Sequence, residues 1–157
     1  MSEKKTALFI CVHNSARSQM AEEYLRRFGG EEWQVESAGF EPGPINPLVA
    51  EVLGEEGIDI RDKKPRDVFE LFKQGRAFQY VITVCEESGE RRCPVFPGVS
   101  HRLHMPFPDP ARLTGSHEEK LARVRELRES IKEMVKEFLD WDQAGDDRRL
   151  GDYWSLK

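Results

Sequence analysis

At 157 residues, with 34% charged and 38% hydrophobic side chains and a formal net charge of −5, the chain is long enough for one domain with a sizeable core and too short for two ordinary ones. The acidic balance and the lack of any Lys/Arg block argue against nucleic-acid or anionic-membrane partners, so any anion site must be local. The polar residues 1–5 carry no signal pattern, and no run approaches about 18 continuous apolar residues, so the chain is expected to be cytoplasmic.

Residues 6–12 (TALFICV) form a continuous apolar run of strand length, the pattern of a strand covered on both faces. Over residues 18–28 the apolar set Met20, Ala21, Tyr24, Leu25 and Phe28 follows helical spacing, with Gly29-Gly30 as the stop. Residues 33–38 predict a second strand, ended by Gly39 and a Pro/Gly loop. Asn46-Pro47 then caps and opens a helix ending near Gly57. A short helix is expected over residues 67–73, a third strand over 80–84 and a weak fourth over 99–105, followed by a turn through Pro106 to Pro110. Leu121, Val124, Ile131 and Phe138 mark a long helix over residues 116–141. Residues 1–141 are thus read as one domain and residues 142–157 as a polar C-terminal tail. Strands alternating with helices imply an α/β fold with a parallel sheet, whose ligands bind at the carboxyl ends of the strands.

At the first such end stands Cys11-Val12-His13-Asn14-Ser15-Ala16-Arg17-Ser18, a Cys and an Arg with five residues between them where strand passes to helix. A loop this short turns its backbone N–H groups inward, and with the helix N-terminus it favours a tetrahedral anion. A thiol at that place beside the Arg17 cation is a standing nucleophile. The planar Arg17 fork can hold two anion oxygens at once. Asn14 tolerates the positive φ of a tight curl, and Ser18 offers the sulfur a hydroxyl. His13 either adds positive charge to the cup or is a solvated loop residue.

Three cysteines, an odd number, argue for thiol chemistry rather than a disulfide scaffold. Cys85 and Cys93 are separated by seven residues that include Gly89, a segment that can close on itself, with Arg91 and Arg92 beside Cys93. The gap exceeds the usual two to four residues between paired zinc ligands. Two unrelated cysteines remain the plain alternative.

The run Cys11 to Glu22, the segment Val35-Glu36-Ser37-Ala38-Gly39 and the turn Pro108-Asp109-Pro110-Ala111 together resemble the thioredoxin-coupled arsenate reductases, built on the low-molecular-weight tyrosine phosphatase fold. The resemblance spans residues 5–139 and implies one four-stranded parallel sheet in the order 2-1-3-4. It further implies arsenate as substrate, phosphate and sulfate as competing anions, a role in arsenic resistance, and thioredoxin as the source of reducing equivalents, with no tightly bound cofactor. Cys11, Cys85 and Cys93 would act in turn as thiols, Asp109 as general acid, and Arg17 with the backbone of residues 12–18 as the oxyanion clamp. Some members bind potassium through residues matching Asn14, Glu22 and Ser37. Here Lys64 and Arg66 fall near the remaining ligand position, so either an ion or a basic side chain is expected there, and the alternative for Glu22 is an exposed helix carboxylate. A phosphomonoesterase is the competing activity, although Ala111, Arg112 and Leu113 follow the Asp-Pro where phosphatases of this fold place aromatic rings.

Overall fold

A strand that is apolar at consecutive positions needs cover on both faces and neighbours on both edges, and the first strand has them. In the computed structural model, which describes residues 4–86 and 93–144, β1 (Lys5–Cys11) lies between β2 (Trp33–Gly39) and β3 (Tyr80–Cys85), with β4 (His101–Phe107) beyond β3. The order is 2-1-3-4 and every neighbouring pair is parallel. Ala7 to Ile10 are wholly buried, as the apolar run requires. On the edge strand β4 the pattern alternates, with Leu103, Met105 and Phe107 buried. β4 continues through Pro106, where the sequence predicts a turn; an edge strand tolerates the missing N–H.

The helices follow the sequence signals closely. They are α1 (Arg17–Gly29), α2 (Pro47–Gly54), α3 (Val68–Lys73) and α4 (His117–Ala144). The Asn46 side chain caps α2 by accepting from the N–H groups of Leu48 and Val49, and Asp67 caps α3 in the same way. α2 stops at Gly54 rather than near Gly57, the chain turning through three residues before Ile58. α1 and α2 both pack against α4, and the helices bury Met20, Leu25, Val52, Leu53, Ile131 and Phe138. Among the described residues no helix is long and apolar enough to cross a membrane.

The two ends of the sheet have different work. At the amino end the first residues of the four strands, Lys5, Trp33, Tyr80 and His101, meet the last turns of α4. Tyr80 stacks on His101 at 5.3 Å between ring centres and meets Phe138 edge-on, while Trp33 packs on both Tyr80 and Phe138. Asp142 takes the Tyr80 hydroxyl and the Lys5 ammonium. The boundary expected at residue 142 therefore falls inside α4, because Asp142 is tied to the sheet; residues 145–157 lie outside the described residues. This end is closed by aromatic packing and a buried acid. The carboxyl end, where Cys11 pairs with Gly39 and Cys85 with Phe107, is left to the loops.

Candidate active site

The loop from Cys11 to Arg17 is held from outside by its carbonyls. Those of Cys11, Val12 and His13 accept from the N–H groups of Phe40, Glu41 and Gly43 at 3.3, 2.8 and 3.0 Å. That of Asn14 accepts from Gln19 Nε2 at 2.9 Å. Ser15 accepts from Asn46 N–H at 2.9 Å, and Ala16 from Met20 N–H at 3.0 Å. With the C=O groups turned outward, the peptide N–H groups face the opposite side, which is how backbone alone makes an anion cup. Asn14 takes the expected left-handed turn, φ 53°.

α1 opens onto this cup without a side-chain cap, its capping position being Ala16. Asn46 and Asp67 cap α2 and α3, and Ser116 with Glu119 exchanges backbone N–H bonds at the start of α4. An N-terminus whose own chain supplies no capping oxygen keeps its first amides for a ligand.

Gly39 makes the curl fit. A Cβ there would stand 2.7 Å from Asn14 N, 2.7 Å from Val12 O and 2.8 Å from His13 C. Only glycine lets β2 run this close beneath the loop. The sequence shows Gly39 merely as a strand end.

The Cys11 thiol is 2% exposed. Its sulfur accepts the Asn14 N–H at 3.2 Å and lies 2.9 Å from Ser18 Oγ. Asn14 Nδ2 donates to Ser18 Oγ at 2.8 Å and to Ser37 Oγ at 2.9 Å. To a Cys11 thiolate, which has no hydrogen of its own, Ser18 can only donate, so the nucleophile has two donors, the Ser18 hydroxyl and the Asn14 N–H. Arg17 is buried, and its Nη1 donates to the carbonyl of Phe107, the last residue of β4, at 3.0 Å. The cation is thus fixed two residues from Asp109. Asp109 caps a 3-10 turn (Pro110–Arg112) by accepting from Ala111 N–H at 2.9 Å.

The other expected residues divide. His13 is exposed and donates Nδ1–H to the Glu41 carbonyl at 2.8 Å, which makes it a solvated rim residue. Cys85 ends β3, on the strand adjacent to the one Cys11 ends, and is wholly buried. Cys93 is also buried; burial pushes its thiol up, and Arg102 of β4 partly offsets this. Arg91 and Arg92, expected to play that part, lie outside the described residues, as does the Gly89 segment. None of the three cysteines is joined in a disulfide.

The residues expected to hold potassium come together, but not as ion ligands. Glu22 is 5% exposed, not a surface carboxylate. Its Oε1 accepts the Ser37 hydroxyl at 2.6 Å, and its Oε2 accepts from Arg26 at 2.7 Å and Lys63 at 2.6 Å. Asn14 Oδ1 takes the Arg66 N–H at 2.9 Å and Gln19 Nε2 at 3.1 Å. With these oxygens engaged and an ammonium already on the carboxylate, the set does not fit a potassium ion. Beside Arg26, the basic side chain that reaches Glu22 is that of Lys63, not Lys64 or Arg66, which turns to Glu36.

Residues 6–149 match the family described as low molecular weight phosphotyrosine protein phosphatase. The chain is 39% identical over 137 residues to an arsenate reductase of Bacillus licheniformis, covering 87% of this chain and 96% of that one. Among solved structures, a thioredoxin-dependent arsenate reductase of Corynebacterium glutamicum is 32% identical with a TM-score of 0.58. The match covers 86% of this chain and 63% of the Corynebacterium chain, so this chain spans less than two thirds of that one. An arsenate reductase in an oxidized state is 26% identical with a TM-score of 0.70, over 85% and 95% of the two chains.

Proposed function

Since the chain belongs to the low molecular weight phosphotyrosine protein phosphatase family, we propose that its cup binds arsenate and that its three cysteines reduce it to arsenite at the expense of thioredoxin. The observation that carries this reading is the Cys11 sulfur hydrogen-bonded to the Asn14 N–H and the Ser18 hydroxyl at the floor of an uncapped helix N-terminus, with a second buried thiol ending the neighbouring strand. The names of the relatives give the oxyanion.

In the first step the Cys11 thiolate displaces one arsenate oxygen, forming an S–As bond. Asp109 protonates the departing oxygen, which leaves as water. Arg17 and the loop N–H groups hold the charge of the transition state. Cys85 thiolate then attacks the Cys11 sulfur. The S–As electron pair passes to arsenic, which leaves as arsenite, and a Cys11–Cys85 disulfide remains. Attack by Cys93 on Cys85 frees Cys11, and a thioredoxin dithiol supplies the two electrons that reduce the Cys85–Cys93 bond. Such a relay suits the cytoplasm, where thiols stay reduced, and that is the compartment proposed for it.

Phosphomonoester hydrolysis is the second reading, favoured by the family match, since the same cup and acid would hydrolyse a phosphate ester through Cys11 alone. Against it, Ala111 and Arg112 after the acid are exposed and offer no ring to stack on an aryl ester. A coupled assay with thioredoxin, thioredoxin reductase and NADPH decides. Arsenate-dependent NADPH consumption is expected; hydrolysis of p-nitrophenyl phosphate without such consumption would replace the reductase by the phosphatase.

A further inference from the structure

A single hydrogen-bond path runs from a lysine between α2 and α3 to the reactive sulfur. Lys63 Nζ lies 2.6 Å from Glu22 Oε2 and 3.0 Å from Glu23 Oε1, two carboxylates of α1 that are themselves buried. Glu22 Oε1 takes the Ser37 hydroxyl at 2.6 Å, so Ser37 Oγ can serve Asn14 only as an acceptor. The Asn14 amide cannot be turned round, because its oxygen is occupied by Arg66 N–H and Gln19 Nε2. Its second Nδ2 hydrogen therefore goes to Ser18, which in turn can only donate to a Cys11 thiolate. The carboxylate at the far end thus sets the Ser37 hydroxyl, and the Arg66 and Gln19 donors set the Asn14 amide between it and Ser18.

A carboxylate in so buried a place needs positive charge beside it. Arg26 supplies part, but its side chain is 47% exposed, whereas that of Lys63 is 26% exposed. Lys63 also comes from a separate segment, whose backbone at Arg66 bonds to both Asn14 and Gly39. Asn14, Glu22, Ser37 and Lys63 line one cavity of about 400 Å³.

We propose that Lys63 is a tethered monovalent cation: its ammonium takes the part a free potassium ion would play beside Glu22, and through Glu22, Ser37 and Asn14 it positions the donors on Cys11. Lys63 is a positioning residue, since it touches neither the sulfur nor the anion. The inference rests on reading the Cys11–Arg17 loop as an oxyanion site, and it predicts that the cup works without added potassium.

The experiment follows the rate of Cys11 alkylation by iodoacetamide, and its protection by inorganic phosphate, in the full chain in KCl, NaCl or choline chloride at equal ionic strength. Phosphate protection of the wild type comes first; its failure would reject the oxyanion reading itself, independently of Lys63. Given protection, wild-type rates and phosphate affinity are expected to be equal in the three salts. Lys63→Ala should weaken phosphate protection by about 10–100-fold, the usual scale for losing a group that orients a site from behind. KCl, but not choline chloride, should recover most of that loss. Lys63→Arg keeps the charge and should need no potassium. A saturable potassium effect on the wild type would overturn the proposal. So would unchanged protection in Lys63→Ala, or a loss that falls with melting temperature and ignores potassium.

Discussion

Gly39→Ala tests whether the cup is shaped by the strand beneath it. The new Cβ would lie 2.7 Å from Asn14 N and Val12 O, against the roughly 3.5 Å of an ordinary contact. The loop must therefore retreat by about 0.8 Å or more. All three atoms met are backbone, and Val12 and His13 are bonded through their carbonyls to Glu41 and Gly43, so no side chain can swing aside. Overpacking of this kind costs about 1–3 kcal/mol. For a domain of this size that is roughly 2–12 °C in melting temperature. The functional loss should be larger, because displacing a reacting group by about 1 Å costs on the order of 100-fold. Gly54→Ala is the control: its Cβ meets nothing within 4 Å, and it should leave turnover unchanged. The assays are thermal melting with and without phosphate, and thioredoxin-coupled turnover. If Gly39→Ala melted lower but kept wild-type phosphate stabilisation and turnover, the loop would not take its shape from β2.

The parts of the site legible in the sequence are those that a single segment carries. Cys11, Asn14, Arg17 and Ser18 sit within one turn of strand-to-helix chain, so residue types and spacing suffice to predict the cup. What supports the cup comes from afar. Gly39, the Phe107 carbonyl and the Glu41 and Gly43 amides act only once strands 28 or more residues away are aligned in register, and backbone groups carry no sequence signature. Lys63, Lys64 and Arg66 differ in nothing local; only the packing of their segment on α1 decides which one meets Glu22. Arg102 likewise reaches Cys93 from another strand, while sequence adjacency points to Arg91 and Arg92. At the other end of the sheet, the polar Asp142 looks like the start of a tail because its partners, Tyr80 and Lys5, are 62 and 137 residues away.

Arg17→Lys should nearly abolish arsenate turnover, since a point charge loses both the two-pronged clamp and the Phe107 tie; near wild-type kcat/KM would refute the clamp. Asp109→Asn should slow adduct formation by roughly 10²–10⁴ while leaving phosphate stabilisation intact, and equal loss of both would make the turn structural. Burial alone would raise the Glu23 carboxyl, but Lys63, Arg27 and Arg26 outweigh it and hold the group below its ordinary 4.5. Its contribution to stability is therefore present above about pH 4.5 and lost as pH falls through the lowered value. Lys63→Met should flatten that acid limb in melts between pH 5 and pH 3, on the order of two units wide, and an unchanged limb would remove Lys63 from the pair. The order of the thiols is the last test. Both Cys85 and Cys93 are buried, so a disulfide between them would have to reach the surface to meet thioredoxin, and the variants separate the steps. Cys93→Ser should release one equivalent of arsenite per chain and stop with Cys11 joined to Cys85, whereas Cys85→Ser should release none, because no thiol remains to take the Cys11 sulfur from arsenic. Peptide mapping of thiol-blocked protein identifies the pair. Sustained turnover by Cys93→Ser would refute the outward relay, and arsenite from Cys85→Ser would refute the order of attack.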